Sequence, residues 1–161
     1  MFSATRKNTS QGAQQKGYLH KQVSEKKRRK RDQYTVFLIE DNIDDREQIL
    51  KTLEKSPYVY NVHCFEKGGD LVTYFVNEGY YSSGAAHKMR LLILMDIHLP
   101  GVDGLEILRD LKGHPMTQNI PMVVITGDTS SERAEEARQL QVSGYILKPV
   151  CLDNIHEVML G

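Results

Sequence analysis

Groups able to do phosphorus or metal chemistry recur in this sequence at the ends of short apolar runs. Glu40-Asp41 follows residues 35–39, Asp96 closes 91–95, Thr126 follows 120–125 and Lys148 follows 144–147. Three clustered carboxylates repel one another and call for a hard divalent cation, and an all-oxygen ligand set suits Mg²⁺. A carboxylate can also attack phosphorus and form an aspartyl phosphate. The charge on the transferring group's three peripheral oxygens would then be met by Mg²⁺, an ammonium and a hydroxyl.

Those groups converge only if the runs are strands of one sheet. Residues 35–39, 58–65, 91–95, 120–125 and 144–147 read as five strands, the third apolar throughout as a strand buried on both faces would be. Between and after them, residues 43–55, 69–78, 105–111, 131–140 and 152–160 read as five helices. In the first helix Ile43, Arg46, Ile49, Leu50 and Leu53 fall near one face; in the second Leu71, Val72, Phe75 and Val76 point inward. Residues 79–90 lack periodicity and read as a loop. Alternating strands and helices predict a doubly wound parallel sheet with helices on both faces. Ligands of such sheets bind outside the carboxyl ends of the strands, where these polar groups lie.

Length and composition agree with one such domain. The chain has 161 residues, 40% hydrophobic and 26% charged, which is ordinary for a globular protein. No apolar stretch approaches the roughly 18–20 residues of a membrane helix, and residues 1–10 have no signal-peptide core. Cys64 and Cys151 make neither a disulfide framework nor a zinc site. A cytoplasmic domain is the expectation. The net charge of zero conceals a split: residues 1–33 hold ten Lys/Arg against Glu25 and Asp32, while the remainder holds eleven against nineteen Asp/Glu. Residues 1–33 therefore read as a basic, largely disordered arm or linker, with 34–161 as the domain. Residues 26–31 form a basic run that could extend a helix into the domain. The arm reads foremost as a solvated tether; nucleic acid or an anionic membrane is the partner its charge would attract.

Four segments resemble the response-regulator receiver domains of two-component signalling: Phe37-Leu38-Ile39-Glu40-Asp41-Asn42, residues 94–104 around Asp96, Val124-Ile125-Thr126-Gly127, and Gly144-Tyr145-Ile146-Leu147-Lys148-Pro149. The resemblance covers about residues 34–161, and separations of 30 from Asp96 to Thr126 and 22 from Thr126 to Lys148 are typical of the family. It implies a flavodoxin-like strand order 2-1-3-4-5 and a cis Lys148-Pro149 bond. It implies Asp96 as phosphoacceptor, with Mg²⁺ held by Asp41, Glu40, Asp96 and the backbone carbonyl of His98. Thr126 and Lys148 would bond phosphoryl oxygens, and Tyr145 would turn inward when Thr126 moves. His98 and Asp128 would flank the entrance and tune the hydrolysis rate. The phosphoryl donor would be a histidine kinase or a phosphotransfer protein. The fourth helix, fifth strand and fifth helix would form the output face, through which a homodimer or partner binds.

The 55 residues from Asp41 to Asp96 exceed the common family spacing, and the excess fits the 79–90 loop. A similar loop, with a motif like residues 119–124, occurs in stand-alone receivers that partner bacterial phytochromes. Two other classes compete. A haloacid-dehalogenase-type phosphatase wants a second Asp two residues after its nucleophile, where this chain has His98. A pseudo-receiver would keep the fold as a binding module without phosphorylation, yet every acidic, hydroxyl and ammonium position is filled. Asp41 or Asn42 could serve simply as a helix cap, Tyr145 as a core aromatic, and Asp103-Gly104 as turn chemistry.

Overall fold

Successive residues of a strand face opposite sides, so an all-apolar strand needs cover on both. The strand Tyr34–Ile39 (β2) is buried at every position. Val36 and Leu38 enter one core, while Phe37 and Ile39 enter the other. The computed structural model describes residues 18–22, 32–77 and 90–161. The elements are β1 (Tyr18–Gln22), β2, α1 (Ile43–Glu54), β3 (Val59–Phe65), α2 (Gly68–Asn77), β4 (Arg90–Asp96), β5 (His98–Leu99), β6 (Val102–Asp103), α3 (Gly104–Gly113), β7 (Met122–Thr126), α4 (Ser131–Gln139), β8 (Gly144–Leu147) and α5 (Leu152–Leu160).

The main sheet runs β1-β3-β2-β4-β7-β8, with β1 antiparallel on β3 and the other pairs parallel. Its five parallel strands, taken in sequence, have the expected order 2-1-3-4-5. On one face Ile49, Leu50 and Leu53 of α1 and Ile155 and Met159 of α5 pack on Val36, Leu38, Leu92 and Leu94. On the other, Leu71 and Phe75 of α2, Leu105, Leu108 and Leu111 of α3 and Ala137 of α4 pack on Phe37, Ile39, Ile93 and Met95. Each large aliphatic side chain buried this way contributes about 1.5–3 kcal/mol.

The boundaries of the ten expected elements follow the sequence reading to within one or two residues, the short strands β5 and β6 are additional, and three further details differ. Ile43 and Val76 were expected inward and are 61% and 57% exposed. Ile43 opens α1 directly after its cap Asn42, and Val76 lies in the last turn of α2. The third difference is β1, which adds a strand within the stretch read as arm. Gln33 is also part of the domain: it is buried, and its side-chain amide donates to the Pro57 carbonyl at 3.2 Å. The remainder of the proposed arm (1–17 and 23–31), including the basic run, lies outside the described residues, as does the expected loop except for Arg90. No helix among the described residues is long and apolar enough to cross a membrane.

Candidate phosphoryl and metal site

Parallel pairing brings the strand ends to one rim. Asp96 stands in register with Ile125, and Thr126 with Leu147. The Lys148 N–H donates to the Thr126 carbonyl at 2.8 Å, and the Glu40 N–H to the Phe65 carbonyl at 3.0 Å. The side chains of the sequence-predicted set are thereby collected from four separate strands. Lys148-Pro149 is cis, as expected.

Glu40, Asp41 and Asp96 each offer an oxygen, and those oxygens lie within 4.8 Å of one another. Glu40 is fully buried and Asp96 nearly so, whereas Asp41 is half-buried. Burial raises the Glu40 carboxyl to about 7, against the pull of Lys148, and the charge of Asp96 adds to the rise. The Lys148 ammonium reaches into this cluster. It hydrogen-bonds Asp96 Oδ2 at 2.8 Å and Asp45 Oδ2 at 2.7 Å, and stands 2.7 Å from Glu40 Oε2. Burial favours a neutral Lys148, but its hydrogen bonds to Asp45 and Asp96 and the charge of Glu40 outweigh it and hold its pKa above the usual lysine value.

The donor set fits a hard cation. Three carboxylates, Glu40, Asp41 and Asp96, stand together beside one ammonium, and Glu40 Oε2 is a buried oxygen whose only near partner among the described residues is the Lys148 charge. An oxygen so placed in a cluster of like charges is the kind of ligand Mg²⁺ takes.

Around this centre the remaining predicted residues are present. Thr126 is fully buried, and its Oγ1 accepts the Asp128 N–H at 3.0 Å. The His98 N–H donates to Asp96 Oδ1 at 2.8 Å, fixing the loop that leaves Asp96. His98 Nε2 and Asp128 Oδ2 face each other at 3.4 Å. Tyr145, in register with Val124, packs on the same core as that residue. Its hydroxyl is buried without a hydrogen bond, and burial, followed by the charge of Asp128, raises its pKa. It borders an open cleft of about 370 Å³ together with Asp128, Ser130, Ala134, Arg138 and Leu147.

Sequence reasoning missed Asp45. No local signal marks it: Asp41 precedes α1 and Asp45 lies in its first turn, so its aim at Lys148 is set by how α1 packs. It also treated Asp103-Gly104 only as a turn. Asp103 caps α3, accepting the Leu105 N–H at 3.0 Å, and pairs with Arg133 of α4 at 2.6 Å. A Cβ on Gly104 would collide with the backbone of Ile97, next to Asp96, so glycine is required there. Of the cysteines, Cys64 is buried in β3, and the exposed Cys151 precedes α5 with Sγ 2.7 Å from Asn154 Oδ1.

Five parallel strands carrying an acidic cluster and one lysine at their carboxyl rim define a doubly wound α/β domain with its site where such sheets bind ligands. Residues 36–160 match the family described as the response regulator receiver domain, and this chain belongs to that family. It is 26% identical over 124 residues to the probable methanogenesis regulatory protein FilR2 of Methanothrix harundinacea, covering 77% of each chain. It is 25% identical over 126 residues to the response regulator Rcp1 of Synechocystis, covering 78% of this chain and 84% of that one. Among solved structures, the bacteriophytochrome response regulator AtBRR is 28% identical with a TM-score of 0.64, over 80% of this chain and 91% of that one. The phosphorylated cyanobacterial phytochrome response regulator RcpA is 30% identical with a TM-score of 0.60, over 79% and 89%. The chain is thus a two-component receiver domain similar to the phytochrome response regulators.

Proposed function

We propose that this receiver accepts a phosphoryl group on Asp96 from a histidine kinase or phosphotransfer protein, in a Mg²⁺-dependent reaction, and converts it into a change of binding face. The observation that carries this reading is the Lys148 ammonium, hydrogen-bonded to a nearly buried Asp96 beside the Glu40 and Asp41 carboxylates. An Asp96 oxygen attacks phosphorus and forms the O–P bond. The bond from phosphorus to the donor breaks, and the leaving group departs with the electron pair and takes up a proton. Lys148 and the Thr126 hydroxyl meet charge on the phosphoryl oxygens. Glu40, Asp41, Asp96 and the His98 carbonyl would hold Mg²⁺, which when bound neutralises the carboxylates and the incoming phosphoryl charge.

The chain acts in this reading as an acceptor that promotes its own phosphorylation and dephosphorylation, rather than as an enzyme turning over a separate substrate. His98 and Asp128, facing each other across the entrance, set the access of hydrolytic water. Movement of Thr126 toward the phosphoryl group frees space on the face it shares with Tyr145. Inward Tyr145 then reshapes the surface of α4, β8 and α5, where a second copy or an output partner docks; this is a shift between two packings. Likeness to phytochrome response regulators favours a phytochrome-type kinase as donor.

Acetyl phosphate with Mg²⁺ should add one phosphoryl group, labile to hydroxylamine, and Asp96→Asn should add none because an amide cannot form the acyl phosphate. Equal incorporation by the Asn variant would remove the assignment. A protein inert to acetyl phosphate and kinase alike would point to the pseudo-receiver.

A further inference from the structure

Lys148 has one tether outside the metal cluster. Of the three carboxylates around its ammonium, Glu40 and Asp96 belong with Asp41 to the group that fits a cation. Asp45 does not, although its Oδ2 accepts a hydrogen bond from Nζ at 2.7 Å. Cation binding and phosphorylation would engage Glu40 and Asp96 elsewhere. Asp45 alone would then still hold the lysine.

We propose that Asp45 is a positioning residue for phosphoryl transfer, keeping the Lys148 ammonium over Asp96 while Glu40 is engaged with the cation. This rests on the phosphoacceptor reading above. The local structure favours such a part. Asp45 lies in the first turn of α1, and its backbone N–H donates to the Oδ1 of the cap Asn42 at 3.0 Å, so its Cα is pinned relative to Asp41. Its side chain is 44% exposed against 16% for Lys148, so it reaches inward from the rim to the ammonium. A lysine is a compact charge on a flexible four-carbon stem, and a fixed carboxylate removes much of its freedom. An ammonium carries three donors, enough to keep Asp45 and serve a phosphoryl oxygen at once. An acidic residue in a first helical turn also favours the helix dipole, but that effect needs no aim at Lys148.

The test measures single-turnover phosphorylation of the full chain by acetyl phosphate, as a function of Mg²⁺, for the parent protein, Asp45→Asn, Lys148→Ala and the double variant. Asp45→Asn should slow the rate about fivefold, the upper range for a half-exposed charge pair. The half-saturating Mg²⁺ concentration should stay within about twofold, since Asp45 lies outside the cation cluster. In the Lys148→Ala background the same change should have no further effect, because the residue acts through the lysine. An unchanged rate in Asp45→Asn, a full additional loss in the double variant, or a slowing explained by weaker Mg²⁺ half-saturation would each overturn the proposal. In those cases the parent protein still takes up phosphate and the phosphoacceptor reading stands. An inert parent protein would sink both.

Discussion

Asp41 is the most exposed member of the acidic cluster, half-buried where Glu40 and Asp96 are buried. A cation arriving from solvent would meet it first, and among the described residues no ammonium stands at hydrogen-bonding distance from it as one does from Asp96. Replacing it with Asn keeps the shape and removes an anionic ligand from a hard-cation site. We expect Asp41→Asn to weaken Mg²⁺ binding at least about tenfold, read by calorimetric titration. An affinity within twofold of the parent would show that Asp41 is not a direct ligand. The same residues show how far types and spacing reach. Glu40, Asp41, Asp96, Thr126 and Lys148 were legible because each stands at the end of an apolar run. Asp45 was not, because its aim depends on how α1 docks beside the end of β8.

At the scale of elements, the segment from Asp96 to α3 is held at several points. His98 N–H bonds Asp96, β5 pairs with β6, and the Gly104 N–H donates to the Ile97 carbonyl at 3.2 Å. Asp103 closes the arrangement by capping α3 and pairing with Arg133 of α4. Hydrogen bonding from the Leu105 N–H, reinforced by Arg133, holds the Asp103 carboxyl below its ordinary value. A carboxyl whose folded pKa is depressed adds stability above its unfolded pKa, near 3.9, and loses it as pH falls through the lower folded value. Asp103→Ala should therefore destabilise the protein by about 1 kcal/mol at pH 7, the ordinary worth of an N-cap. The exposed Arg133 pair adds little to that figure. Urea unfolding should show the gap between variant and parent narrowing below about pH 4. A gap constant with pH would mean that the charge of Asp103 does no capping.

For the whole molecule, β1 changes where the domain begins. Sequence reading placed the boundary after residue 33, since residues 1–33 have too few apolar side chains to form a core of their own. Strand pairing needs no core of its own: the β1 backbone joins β3 from Tyr18–Phe65 to Gln22–Asn61. Without β1, the outer edge of β3 would present unpaired N–H and C=O groups, a template for association. Deleting residues 1–22 should leave phosphorylation and a single cooperative transition intact. The unfolding midpoint should fall, and sedimentation should reveal association that grows with concentration. An unchanged midpoint with a monomer at every concentration would show that β1 contributes nothing to the sheet.

What the amino-acid sequence determined by itself was the fold class, the element order and the chemical inventory of the rim. Those follow from local periodicity and from polar groups placed at strand ends, both of which are read along the chain. Tertiary structure alone decided the rest. Strand order rests on which backbone edges pair, and was available beforehand only through family resemblance. The exposure of Ile43 and Val76, in the first turn of α1 and the last turn of α2, depends on how far each helix is covered by its packing neighbours. The Asp45–Lys148 bond joins groups 103 residues apart, and the β1–β3 pairing joins a polar strand to an edge through its backbone. Neither leaves a local pattern, because each arises only when distant segments are packed together.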